Sequence, residues 1–146
     1  MANIFDVAKY ILEQNGEWMS TSILQKLCYY AQAWALVWSD GTPLFNEDFQ
    51  AWRNGPVCQE LFDVLTDPYT IDADEFKVGS SECLTPNEKD TIKTVFQAYG
   101  NLDAHDIMMQ THSEFPWKNA RVGLSKDEVR GRIITKDSMG EYYGSL

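Results

Sequence analysis

The sequence predicts a mainly α domain with a small β element, of the α+β class: a single compact helical domain built round a central apolar helix. Hydrophobic residues make up 44% of the 146 residues, which is enough for one core. Apolar residues recur at helical spacing behind clear cap residues, while Phe49 to Trp52 alternates between turn formers as a short strand does. We therefore expect residues 1–146 to form one domain, with residues 118–134 as a candidate mobile segment.

Two helices are predicted in the first third of the chain. Asn3 is a good N-cap for a helix from Asn3 to Leu12, and Gly16 is its stop. A second helix starts at Ser20 or Ser22 and runs to about Trp38. Because its apolar residues lie on nearly all sides, it belongs in the middle of the fold. Its predicted core residues are Leu24, Leu27, Ala31 and Trp34.

A turn follows the predicted strand. Asn54 and Gly55 tolerate positive φ, and Pro56 suits the first position of a helix. We therefore expect these three residues to set the turn and a helix to run from Val57 to Leu65. The next stretch, from Thr66 to Cys83, is an acidic loop with room for a short strand.

The second half of the chain contains three further helix starts. Thr85-Pro86-Asn87-Glu88 is a capping box with proline at the first helical position, which predicts a helix to Tyr99. Asp103 caps a short helix to about Gln110, and Thr135 caps a last one. Between them, Pro116 is expected to leave Thr111 to Trp117 irregular.

The overall charge excludes several classes of partner. Twelve basic and 22 acidic residues give a formal charge of −10 at pH 7, which repels phosphate backbones and favours a basic protein partner. We expect no signal peptide, no membrane span and no membrane partner. Three widely spaced cysteines fit a reducing cytoplasm better than a disulfide framework.

Two catalytic or metal sites are conceivable, and neither is favoured. Cys58 opens a predicted helix and could pair with His112 as a nucleophile and its base, although a structural thiol is the simpler interpretation. His105, Asp106, His112 and Glu114 are ligand types, but their spacing does not place them on one helix face. No nucleotide-binding or hydrolase motif is present. The sequence predicts no catalytic residue, no cofactor and no metal.

Tryptophan and arginine at turns suggest a binding surface. Five tryptophans are many for this length, and Trp and Arg are enriched in interface hot spots. Trp52-Arg53-Asn54 lies at the predicted turn, and Trp38 ends the central helix. Six basic residues crowd the last fifth of the chain, where a mixed solvated surface is favoured over an anion-binding patch.

Three segments, in order, resemble one known family. LQKLCYYAQAW at 24–34 resembles the LQKLLYYAQGW-type helix of the Panacea domain, also called the SocA-like antitoxin domain. PLF at 43–45 with FQAWRNGPV at 49–57 is similar to the family's PLF…FxAWxxGPV segment, and THSEFPW at 111–117 to its THxExPW element.

The resemblance implies a bacterial or phage-borne antitoxin that neutralises a toxin encoded beside it by direct protein–protein contact. No enzymatic activity is implied. Two alternatives remain: an adaptor that delivers the toxin to a cellular protease, and an enzyme that uses His112 and Glu114. Autoregulation by DNA binding is disfavoured by the charge. The candidate partner-binding residues are Trp38, Trp52, Arg53, Asn54, His112, Glu114 and Trp117, with a structural role for His112 and Glu114 as the other interpretation.

Overall fold

The long apolar helix is the centre of the structure. In the computed structural model, which describes all 146 residues, every residue from Leu24 to Ala33 is buried and four other helices pack around this one. A helix enclosed in this way needs apolar residues on all sides, as predicted. The elements are α1 (Ile4–Asn15), β1 (Met19–Ser20), α2 (Thr21–Trp38), β2 (Phe49–Trp52), β3 (Gly55–Val57), α3 (Gln59–Val64), β4 (Thr70–Ile71), a 3₁₀ turn (Ser81–Cys83), α4 (Pro86–Tyr99), α5 (Ala104–His112), α6 (Phe115–Ala120), β5 (Ile133–Ile134) and α7 (Lys136–Gly144).

The α+β class is confirmed, and so are the five helix starts that were predicted from cap residues. Five cap side chains each accept a hydrogen bond from the backbone N–H three residues later, which satisfies a donor that the helix itself leaves free. Gly16, with φ 73°, ends α1, and α5 continues two residues beyond the predicted Gln110. The five caps are Asn3, Ser20, Thr85, Asp103 and Thr135.

Two small antiparallel sheets flank the first turns of α2. One has the strand order β3-β2-β5, and the other pairs β1 with β4. The helix is tied to the adjoining loops by two buried glutamines. Gln25 accepts from the N–H of Cys58 at 2.9 Å and donates to its carbonyl at 3.1 Å. Gln32 holds Leu44 N–H and Phe45 C=O in the same way, at 2.7 and 2.6 Å.

Two predictions that depended on proline were wrong. Pro56 lies in β3 and not at the start of a helix, and α3 begins only at Gln59. Since β3 is an edge strand, a residue without an N–H is tolerated there. Pro116 does not make its segment irregular, because it lies in the first turn of α6. The N–H groups of a first turn have no intrahelical acceptor, so proline costs nothing at that position.

Arg121 organises the segment after α6. Its buried guanidinium donates to the carbonyls of Ala51 at 3.0 Å, Ser125 at 3.0 Å and Glu128 at 2.9 Å. These bonds hold residues 121–128 near β2, and further along the chain β5 pairs with the same strand. The mobility of residues 118–134 stays a prediction, and these contacts are the ones that would have to open.

Candidate functional site

A groove opens beside the β2–β3 hairpin, where the first turns of α2 meet α3. Its volume is about 370 Å³. No aspartate or glutamate lines it, although acidic residues outnumber basic ones 22 to 12 in this chain. We name it the hairpin groove and define it by Ser22, Lys26, Trp52, Arg53, Phe62 and Val129.

Lys26 contributes a buried positive charge to the groove. Only 1% of its surface is exposed, and its Nζ donates to Ser22 Oγ at 2.8 Å and to Ser22 C=O at 3.4 Å. The one salt bridge of the structure joins Lys136 to Asp48, so Lys26 has no carboxylate partner. Burial lowers the pKa of Lys26 from 10.5 to about 8.

The hairpin turn rests directly on this lysine. Trp52 pairs with Gly55, which leaves Arg53 and Asn54 as an exposed two-residue loop. Positive φ occurs at Gly55 (121°) and not at Asn54. A Cβ at Gly55 would lie 2.6 Å from Lys26 Cε. A larger residue would be strained at this φ and would have to displace the end of the Lys26 side chain, so glycine lets the turn approach α2 closely.

Aromatic and cationic side chains form one wall of the groove. The ring of Trp52 lies 5.1 Å from that of Phe62, and the guanidinium of Arg130 lies 4.6 Å above the Trp52 ring. Phe62 is 48% exposed, and Val129 is exposed beside it. The wall therefore offers apolar area and a cation–π pair at the protein surface.

His112 and Trp117 support the hairpin from behind. Trp117 Nε1 donates to Trp52 C=O at 2.9 Å, and the His112 ring stacks on Trp117 at 3.9 Å. The Nε2 atom of His112 is buried without a hydrogen-bond partner. Burial lowers the pKa of His112, and the positive charges of Lys26 and Arg121 lower it further. His112 is thus neutral at pH 7 and does not line the groove.

Glu114 lies in a buried network of tyrosines. Its Oε1 accepts from the hydroxyls of Tyr30 and Tyr143, both at 2.7 Å, and its Oε2 accepts from Gln110 at 3.1 Å. Burial first, and then the negative charge of Glu114 among others, raises the pKa of both tyrosines. The carboxylate joins α2 to α7 and is removed from the surface.

Trp38 lies away from the groove. Its ring is 51% exposed and stacks on Trp34 at 5.5 Å. It follows Lys26 by twelve residues of α2, which separates the two by about 18 Å along the helix axis. Trp34 itself is half-buried, and its Nε1 donates to Tyr99 at 2.9 Å.

The alternatives based on cysteine and metal find no support in the geometry. Cys58 is fully buried, and burial raises the pKa of its thiol to about 12, so a thiolate does not form near pH 7. No group of three or more His, Cys, Asp or Glu side chains in the structure is placed to hold a metal ion. The N–H of Asp106 is bound by the cap residue Asp103 at 2.8 Å.

The structure brings together part of the predicted partner-binding set. Trp52, Arg53 and Asn54 line the groove, and His112 and Trp117 lie directly behind them, whereas Trp38 and Glu114 lie elsewhere. Their contact with a partner stays a prediction. Sequence reasoning missed four residues of this surface: Lys26, Phe62, Val129 and Arg130.

A signal for Lys26 was present in the sequence. It is the one charged residue of α2, and the residues three and four positions away are Ser22, Ile23, Tyr29 and Tyr30, none of which can neutralise it. A lysine within an apolar helix face needs an explanation. Phe62, Val129 and Arg130 had no such signal, because they meet Trp52 only through the tertiary structure.

The segments that carry the family resemblance meet at this site. Gln25 of the first is bonded to Cys58 just after the second, and Trp117 of the third is bonded to Trp52 of the second. The family model described as "Antitoxin SocA-like, Panacea domain" matches residues 24–118, which is more than half of the chain. No curated protein and no solved structure matches the chain. None of the helices combines the length and the apolar character needed to cross a membrane.

Proposed function

We infer a binding function from one premise: the chain belongs to the family of SocA-like antitoxins with a Panacea domain. We propose that it is the antitoxin of a toxin–antitoxin pair and that it neutralises a cognate toxin by holding it directly. The observation that supports this most is the hairpin groove. There, exposed apolar side chains flank cations that have no counter-ion.

The surface around the groove has the composition of an interface hot spot. Trp52 and Arg130 are of the residue types that dominate binding energy, and Phe62 offers exposed ring area beside them. A standard interface covers about 800 Å² on each partner. This is about a tenth of the chain's 7617 Å² of accessible surface, so one face is sufficient.

The charge of the whole chain suits a basic toxin. A formal charge of −10 attracts a positive partner over distances of about 10 Å and accelerates their encounter. Contacts in the groove then set the lifetime of the complex. We propose that this chain binds the toxin in the cytoplasm, where its three free cysteines stay reduced.

The test is co-expression with the protein encoded by the adjacent gene. We expect the wild-type chain to restore growth and to co-purify with that protein. Phe62→Ala should weaken the complex at least tenfold, since an exposed ring at a hot spot is lost. Phe115→Ala is the matched control, because Phe115 is 53% exposed but lies outside the groove. A harmless neighbour, or one that the purified chain does not bind, contradicts the proposal.

The half-life of the toxin in cells, measured with and without this chain, distinguishes sequestration from delivery to a protease. Direct holding leaves the cellular half-life of the toxin unchanged or longer, because a bound protein is protected. A shorter half-life in the presence of this chain would identify the adaptor mechanism.

A further inference from the structure

We propose that the hairpin groove receives a glutamate side chain of the toxin, with an apolar neighbour from the same segment, and that Lys26 pairs with its carboxylate. This inference rests on the proposed function and identifies the chemistry that the groove recognises. It arises from the charges and the apolar surface that the structure places together.

The charges in and beside the groove lack an internal counterpart. Lys26, Arg53 and Arg130 all lie there, and none of them forms a salt bridge. A chain with 22 acidic residues could neutralise them easily, yet no carboxylate lines the groove. An acidic protein thus has a local cationic site, which is complementary to a negatively charged group from outside.

Lys26 has a hydrogen-bonding position to fill. An ammonium carries three donors, and Ser22 accepts two of them, one at the long distance of 3.4 Å. A buried charge is stabilised when a carboxylate pairs with it and accepts its free donor. Because Lys26 is already removed from water, this pairing would add little further desolvation of the lysine.

The apolar part of the groove limits what else the occupant contains. Phe62 and Val129 provide exposed carbon surface, and the largely buried ring of Trp52 lines the groove beside them. About 370 Å³ is near the lower end for ligand pockets, which suits one or two side chains. A glutamate with an apolar residue next to it supplies a carboxylate for Lys26, which lines the groove, and carbon surface for its apolar wall.

Other negatively charged occupants fit less well. Nucleic acids and other polyanions are repelled by the charge of −10, and a second copy of the chain is repelled for the same reason. A basic toxin is attracted as a whole and carries single acidic residues. One glutamate in the groove would fix its orientation and would discriminate against toxins that lack it.

The test uses peptides and does not need the toxin. The probes are Ac-Phe-Glu-Leu-NH₂ and Ac-Phe-Gln-Leu-NH₂, titrated into the ¹⁵N-labelled chain to about 10 mM at pH 7, with the indole N–H of Trp52 as reporter. We expect the glutamate peptide to bind at least tenfold more tightly than the glutamine peptide. The difference should vanish in Lys26→Met and persist in Lys93→Met, which removes the same charge from an exposed position on α4.

Three results would overturn the proposal. Equal binding of the two peptides would mean that the groove recognises only apolar surface. Tighter binding of Ac-Phe-Gln-Leu-OH than of the glutamate peptide would mean that it recognises a chain terminus. No shift at Trp52 with any probe would mean that it is not a site. Arg53→Gln, at an exposed position, is a second variant that should weaken the glutamate peptide severalfold.

The two proposals fail separately. If the glutamate peptide binds and the adjacent gene product does not, direct neutralisation is wrong and the chemistry of the groove stands. If the toxin binds and no peptide does, the groove assignment is wrong and the antitoxin function stands.

Discussion

Replacement of Lys26 by methionine is expected to stabilise the isolated protein. Methionine has a similar unbranched shape and no charge to bury. The pKa of Lys26 falls from 10.5 to about 8 on burial, so the fold disfavours the ammonium by about 3 kcal/mol at pH 7. The half-buried Ser22 loses one hydrogen-bond donor and can bind water instead. The variant should therefore gain about 2–3 kcal/mol in the free energy of unfolding.

The gain should depend on pH with a defined sign. Since the folded pKa lies below the unfolded one, the unfolded chain binds more protons between pH 8 and 10.5, and this lysine makes wild-type stability rise through that window. The advantage of the methionine variant should then shrink by about 2.5 kcal/mol and be close to zero at pH 10. The other titratable group facing Lys26 is His112, whose pKa is lowered by burial, so it is neutral over the whole window. The charged side chain of Arg53 lines the same groove.

Urea unfolding at pH 7 and pH 10 measures both quantities, with Lys93→Met as the control for the loss of one positive charge. In that control, stability should change by less than about 0.5 kcal/mol at either pH. A methionine variant less stable than wild type at pH 7, or a difference equal at the two pH values, would refute the idea that Lys26 is an unpaired buried charge.

Three further predictions concern other parts of the molecule. Glu114→Gln keeps an acceptor for the tyrosines but loses the charge, so unfolding should become easier by about 1–3 kcal/mol while toxin neutralisation persists. A folded variant that no longer neutralises would favour the interpretations in which Glu114 contacts the toxin or acts in catalysis. Gly55→Ala should lower stability by about 1–3 kcal/mol more than Gly41→Ala, because both have positive φ but only Gly55 has Lys26 in the way. Equal losses in thermal unfolding would show that the turn does not rest on Lys26. Iodoacetamide at pH 8 should label the exposed Cys83 and leave Cys58 unmodified until unfolding, as measured by mass spectrometry, and rapid labelling of Cys58 would contradict its burial.

Helix starts were predictable because their interactions are local. The side chain of Asn3 binds a backbone N–H three residues away, and Thr85 and Glu88 satisfy each other's backbone within one turn. The two prolines were not predictable in the same way. A first helical turn and an edge strand both tolerate proline. For Pro56, only the pairing with Ala51 in β2 shows that the residue lies in a strand. For Pro116, only the position of α6 shows that the residue lies in a first turn.

By itself, the sequence determined the helical class, the central place of α2, the negative charge and the turn that presents Trp52 and Arg53, because composition and short-range spacing decide these. Only the tertiary structure decided that Lys26 lies beneath that turn without a counter-ion and that Glu114 is enclosed by tyrosines. The state of a charge depends on which groups surround it in space. For Lys26 and Glu114 those groups come from distant segments, such as Gly55 and Tyr143, so no local pattern specifies them.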